Sequence, residues 1–287
     1  MQVVVLMAGS GKRFADARYK DPKPLIKVHG HPMVEYVVKL FPGEEDFLFI
    51  CRNGRLRETN LGEVLRALAP NGKVVGIDGH EDGPVVSLVE AAEYIKEGEP
   101  VIVSYCDFFM HWDYDDFKKT MLQKNPASSA VCYKGFHPHL LGSNLYAGVR
   151  ATEDGEILEV REKHSFTPNK MDTWQQAGVF YFSSGGLLKK YSKKLIASSE
   201  RVNNEYYVSM LYNPMIKDGL TCAIYPVEHF CQWGTPEDLA EYNKNSALAK
   251  NAGTYGEGIR VSPAIAYWRE FFVKNQGFFG TNLKRHD

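Results

Sequence analysis

Residues 3–36 read VVVLMAGSGKRFADARYKDPKPLIKVHGHPMVEY, an apolar strand followed by a glycine-rich turn and then by cations. Val3, Val4, Val5 and Leu6 form a short continuous apolar run, the pattern of a central strand covered on both faces. Gly9 and Gly11 come directly after it. Having no side chains, they let the backbone turn tightly and bring its N–H groups against an anion. Lys12, Arg13 and Lys23 add full positive charges where the amides supply partial ones. In Asp21-Pro22-Lys23-Pro24-Leu25 two prolines stiffen the chain on either side of one ammonium, because each fixes its own φ and restricts the residue before it. Together these features describe a cradle suited to a triphosphate.

Two better-known phosphate motifs fail on the same residues. A dinucleotide fingerprint needs a small residue where Phe14 stands, and its ring would block close packing of helix on strand. A Walker loop needs Ser or Thr after Gly11-Lys12 to hold magnesium, and Arg13 is there instead.

Working outward, the first half alternates strand and helix. Strands are expected at 3–6, 47–51, 74–77 and 101–105, and helices at 33–40, 56–68 and 85–95. Repeated β-α units imply an α/β fold with a mostly parallel sheet and right-handed crossovers. Ligands then sit beyond the carboxyl ends of the strands, where Gly9, Gly83 and Asp107 all fall. The second half predicts strands at 128–133, 145–150, 157–161 and 178–182, a mixed sheet region. Helices are expected at 205–217 and 236–249, the latter with Thr235 as N-cap and Pro236 in the first turn. A linker-like stretch, 251–256, precedes a partly apolar segment at 265–273 that packs on the domain or on a partner.

Composition narrows the function classes. The 287 residues are 44% hydrophobic and 24% charged, enough for a sizeable core without staples. Lys plus Arg number 34 and Asp plus Glu 35, a net charge of −1, so no global field draws nucleic acid or an anionic membrane. Phosphate binding must be local. Five scattered cysteines with no C-x-x-C pair argue against a disulfide framework or structural zinc and suggest a reducing cytoplasm. The opening strand has no basic leader and no apolar run has membrane-spanning length, so neither export nor membrane insertion is expected.

Asp107 follows the apolar run 101–106 and emerges on the same sheet edge as the glycine turn. Magnesium prefers carboxylate oxygen and is commonly held by one or two carboxylates plus substrate phosphates, so Asp107 is the candidate ligand. The competing reading is an aspartate that merely starts a turn.

These residues resemble the sugar nucleotidyltransferases, or nucleoside-diphosphate-sugar pyrophosphorylases, whose opening pattern is L-x-G-G-x-G-x-R followed by P-K-P. Ala8, Gly9 and Ser10 vary within that loop, while Gly11, Arg13, Lys23 and Pro24 sit where the pattern puts them. The resemblance continues more weakly to about residue 243. It implies a Rossmann-like mixed sheet of the nucleotide-diphospho-sugar transferase, GT-A-like kind. It further implies a nucleotidyltransferase domain over 1–250, with a nucleotide half at 1–125, an acceptor half at 126–250, and an extension at 251–287. Met7, Ala8, Gly9, Ser10, Gly11, Lys12 and Arg13 would bind nucleotide with Asp82, Gly83 and Asp107; Arg13, Lys23 and Asp107 would be catalytic.

Other motifs are similar to the family's but altered. Asp78 to Pro84 resembles the base-lining Q-x-G-T-A segment without its glutamine, which leaves the base open. Arg161-Glu162-Lys163 resembles an E-K-P pair, implying Glu162 on acceptor hydroxyls and Lys163 near the acceptor phosphate; Gly178 begins the A-G-x-Y-x-F strand where an acceptor approaches. The closing motif resembles W-x-D-x-G-T-P-E-D, but Gln232 replaces its aspartate, and a neutral amide brings no charge to a metal. Glu228 is the candidate second metal carboxylate, against an ordinary surface glutamate. His229 is read as structural, and His137-Pro138-His139 as a solvated loop rather than metal ligands.

The resemblance implies an NTP and a phosphorylated small-molecule acceptor as partners, Mg2+ as cofactor, and no nucleic acid or membrane; homo-oligomerisation is left open. Acceptors include sugar 1-phosphates and non-sugar phosphates such as phosphocholine-like or phospho-amino-acid compounds. A GT-A-like glycosyltransferase is the alternative, but it should carry Asp-x-Asp after a strand, which Asp107-Phe108-Phe109 lacks. A catalytically inactive binding protein is the third class.

Overall fold

The computed structural model describes residues 1–143, 146–251 and 263–275, with 248–251 in backbone only. The first half runs β1 (Gln2–Met7), α1 (Lys12–Asp16), a hairpin of β2 (Lys27–Val28) and β3 (His31–Pro32), α2 (Met33–Lys39), β4 (Phe47–Arg52), α3 (Asn53–Glu58), α4 (Leu61–Leu68), β5 (Lys73–Ile77), α5 (Pro84–Glu90), β6 (Val101–Ser104), β7 (Phe108–His111) and α6 (Tyr114–Lys124). The second runs β8 (Ser128–Tyr133), β9 (Gly148–Ala151), β10 (Ile157–Arg161), β11 (Trp174–Phe182), α7 (Gly185–Ser198), α8 (Tyr212–Lys217), β12 (Cys222–Val227), β13 (His229–Gln232), α9 (Pro236–Asn251) and α10 (Pro263–Lys274).

β1 lies between β4 and β6 and is parallel to both, with β5 parallel on the far side of β4. Its alternate residues feed two separate cores. Val3, Val5 and Met7 enter one, while Val4 and Leu6, followed by Ala8 just past the strand, enter the other. That two-sided burial is why the strand reads as an unbroken apolar run. β11 continues the sheet by pairing antiparallel with β6, and β8, β9, β10 and β12 complete nine strands. Both halves of the chain therefore share one mixed, mostly parallel-centred sheet flanked by helices, as the sequence predicts.

The differences are local and have identifiable causes. The helix expected at 56–68 is two, because Thr59 interrupts it: its hydroxyl donates to Arg55 O at 2.7 Å and accepts from Leu61 N at 3.3 Å. The helix expected at 85–95 ends at Glu90 and continues as a 3-10 turn, Ala92–Tyr94. At 205–217 only Tyr212–Lys217 is α-helical, since Tyr206 is already bonded to the 82–85 segment (Tyr206 N to Asp82 O 2.8 Å, Val85 N to Tyr206 O 3.1 Å). The strand expected at 178–182 starts four residues earlier, at Trp174, and that expected at 145–150 is Gly148–Ala151, with Leu145 outside the described residues. Of the linker-like stretch 251–256, all but the backbone of residue 251 also lies outside them.

A two-stranded ribbon, β7 against β13, stands off the main sheet and pairs Phe108 with Gln232 and His111 with His229. α10, which contains the apolar segment 265–273, covers it. Tyr267 OH accepts from Phe230 N at 3.0 Å and donates to Phe230 O at 2.9 Å. Phe271 and Phe272 are fully buried, worth roughly 1.5–3 kcal/mol each. The segment thus packs on its own domain. His137 and His139 also lie inside this region, correcting the solvated-loop expectation: they are 1% and 6% exposed, and His139 Nε2 meets Tyr133 OH at 2.9 Å. Burial holds His137 down at about 4, and His139 well below the usual histidine range.

Candidate active site

A cavity of about 940 Å³ opens beyond the carboxyl ends of β1 and β6. Met7, Ala8, Gly9, Ser10, Gly11, Lys12, Arg13, Lys23, Gly83, Asp107, Glu162, Lys163 and Gly178 all line it. Residues from widely separated stretches of chain therefore meet in one place.

The turn after β1 is open. No atom of the described residues lies within 4 Å of where a Cβ would be on Gly9 or Gly11, and Gly11 has φ +64°, a left-handed value that favours glycine. Gly11 O accepts from Phe14 N and Ala15 N, both at 3.1 Å, so the turn leads straight into α1. Phe14 is 2% exposed and anchors the helix in the core while Lys12 and Arg13 remain exposed. Arg52, at the end of β4, fixes the loop from behind: its guanidinium donates to Ala8 O at 2.7 Å and to His80 O at 2.6 Å. Sequence reasoning missed Arg52, although its place at a strand's carboxyl end was a usable signal.

Lys23 reaches across the cavity to form an ion pair with Asp107. Its 3-10 turn, Lys23–Leu25, is entered from extended Pro22 and carries Pro24 inside it, so both prolines constrain the approach. Asp107 sits between β6 and β7, and its carbonyl accepts from Trp233 N at 2.9 Å, which ties the β13 end to the β6 end. A Cβ added to Gly234 would collide with Gln232 Nε2 and stand 3.1 Å from Asp107 Oδ2. Gln232 therefore occupies the neighbourhood of Asp107, where its amide can donate and accept hydrogen bonds but brings no charge.

The opposite wall holds Glu162, whose side chain is 8% exposed and bonded to the Ser209 hydroxyl. Burial pushes its carboxyl above the usual range, with the Ser209 bond pulling the other way. Lys163 has φ +54°, an uncommon left-handed value for a side-chain-bearing residue, and its Nζ lies 4.0 Å from Glu162 Oε1 and 5.6 Å from the Tyr207 ring. Ser209 carried no signal in the sequence.

Two glycines serve packing. The space a Cβ would take on Gly83 (φ +95°) is filled by the Tyr206 backbone, 2.6 Å away, and on Gly178 (φ +80°) by the Tyr105 ring at 3.0 Å. Both line the cavity, but each is a glycine because another part of the chain approaches closely.

Two predicted residues lie apart. Asp82 is outside the lining and paired with Arg201 at 2.9 Å. Glu228 is at the far end of the ribbon from Asp107, beyond the His229–His111 pair, and is bound by Lys274. It does form a group with His229 and Glu270, but Lys274 Nζ also bonds Glu270, at 3.0 Å, and so neutralises the group from within. Glu228 and Asp107 are not brought together as ligands of one ion.

The profile of the MobA-like NTP transferase domain matches residues 3–165. A nucleoside-diphosphate-sugar pyrophosphorylase from Vibrio cholerae RC9 superposes with TM-score 0.67 at 18% identity, over 84% of this chain and 98% of its own. An inositol-1-phosphate CTP transferase from T. maritima superposes with TM-score 0.64 at 19% identity, over 91% and 98%. At such identities the likeness establishes the fold. No curated protein matches by sequence.

Proposed function

We propose that this chain, which belongs to the family of MobA-like NTP transferase domains, carries its nucleotide to a sugar 1-phosphate or a similar hydroxyl-bearing phosphate. The chain is a nucleotidyltransferase. An acceptor phosphate oxygen attacks the α-phosphorus of the triphosphate in line, the α–β bridging bond breaks, and pyrophosphate leaves. The acceptor is already anionic at neutral pH, so the reaction needs no general base. Its main demand is to bring two polyanions together.

The residues divide that demand. Gly9, Gly11, Lys12 and Arg13 would hold the polyphosphate tail, and Lys23 would leave Asp107 for the phosphates as they arrive. Glu162 and Lys163 would orient the acceptor through its hydroxyls and its phosphate. Residues 1–125 are thus assigned to the nucleotide and 126–250 to the acceptor. Mg2+ is the proposed cofactor, with Asp107 its ligand and Gln232 beside it; when bound, it would neutralise phosphate charge. The five cysteines are free and buried, which supports a reducing, cytoplasmic setting. No helix among the described residues is long and apolar enough to cross a membrane.

One observation carries the proposal: an open glycine turn with cations and a buried, hydrogen-bonded carboxylate face the same cavity. The two neighbours named above are a nucleoside-diphosphate-sugar pyrophosphorylase and an inositol-1-phosphate CTP transferase. A buried carboxylate suits the hydroxyls common to both. Incubating the protein with each of five nucleoside triphosphates, Mg2+ and a panel of sugar and polyol phosphates should release pyrophosphate for at least one pair. Release with none of the hydroxyl-bearing acceptors, but with a phosphate lacking hydroxyls, would refute the acceptor assignment.

A further inference from the structure

The loss of charge at Gln232 has a counterpart six residues on. Asp238 lies in the first turn of α9, where Thr235 Oγ1 accepts from its amide N–H at 3.1 Å, and it lines the same cavity as Asp107 and Gln232. It is only 8% exposed, and its Oδ2 has no hydrogen-bond partner among the described residues. A buried carboxylate oxygen without a partner is costly, and a bound cation would relieve that cost. Burial raises the carboxyl's affinity for a proton, Thr235 opposes this, and the charge of Asp107 adds to it, so the two carboxylates sense each other. Of the cations, Arg13 also acts on Asp238, while Lys23 is already engaged by Asp107.

We propose that Asp238 is the second carboxylate of the divalent-cation site, supplying from the first turn of α9 the charge that Gln232 lacks. This rests on the assignment of Asp107 as a metal ligand. Two carboxylates and substrate phosphates are an ordinary donor set for magnesium, which keeps much of its water. The Thr235 contacts hold Asp238 in place, and Gly234, having no side chain, leaves room beside Asp107.

The test is Mn2+ binding to the purified full chain, counted from the electron paramagnetic resonance signal of the free ion. Outer-sphere changes already cost roughly 10–100-fold in metal affinity, so Asp238→Asn should loosen Mn2+ by at least about tenfold. Its thermal unfolding should be no lower than that of the wild type, because the substitution removes a buried charge and keeps the shape. Adding Gln232→Asp to Asp238→Asn should restore Mn2+ binding, which a purely structural role for Asp238 would not produce. If Asp107→Asn loosens Mn2+ but Asp238→Asn does not, the inference is overturned, Asp107 stands, and Asp238 serves Arg13 instead. Absence of rescue by Gln232→Asp also overturns it. If Asp107→Asn has no effect, or the wild type binds no Mn2+, the metal assignment of Asp107 falls and takes the inference with it.

Discussion

The turn after β1 and the wall around Glu162 face one cavity but are built in opposite ways. The turn is short-range backbone with exposed cations and empty space at Gly9 and Gly11. The wall is a carboxylate buried among elements distant in sequence, held by Ser209 from 47 residues away. A site for a polyanion can stay open and solvated, because its ligand brings the opposing charge. A site that sorts neutral hydroxyls must set its acceptor oxygen in advance, and burying that oxygen has a standing cost.

The contrast can be broken most sharply by removing charge from the open side. Lys23→Ala and Asp107→Asn should each lower pyrophosphate release by roughly a hundredfold, the effect of losing one preorganised partner of about 3 kcal/mol, while circular dichroism stays that of the wild type. Near-normal rates in both would erase the distinction. A smaller effect belongs to the buried side. Glu162 is raised above its unfolded-state value by burial, so its ionised form costs stability above the folded pKa, and protonation relieves that cost as pH falls. Glu162→Gln should therefore melt a few degrees above the wild type at neutral pH. The gap should close as pH falls through the raised pKa, while the KM for acceptor rises. A variant that melts lower at neutral pH would show that contacts to the ionised carboxylate outweigh the cost of its burial.

What the sequence revealed follows the same line. The parallel sheet, the turn at Gly9 and Gly11, Lys23 between prolines and the Thr235 cap were legible because each is set by neighbours a few residues away. The β7–β13 ribbon was not, since four-residue strands joined across more than a hundred residues leave no local period. Gln232 looked like a loss of charge because Asp238, six residues further on, reads as an ordinary first-turn aspartate. Glu228 looked suitable because it is close in sequence; antiparallel pairing carries it to the other end of the ribbon. His137 and His139 looked solvated because nothing local announces that α10 packs nearby.

The central claim is that residues 9–13 and Lys23 hold a polyphosphate. Isothermal titration of the wild type and of Lys23→Ala with each nucleoside triphosphate, in excess Mg2+, tests it most directly. At least one nucleotide should bind the wild type at one site per chain, and Lys23→Ala should weaken it by roughly tenfold or more. Heat-silent mixing with every nucleotide, or equal affinity in the variant, would contradict it.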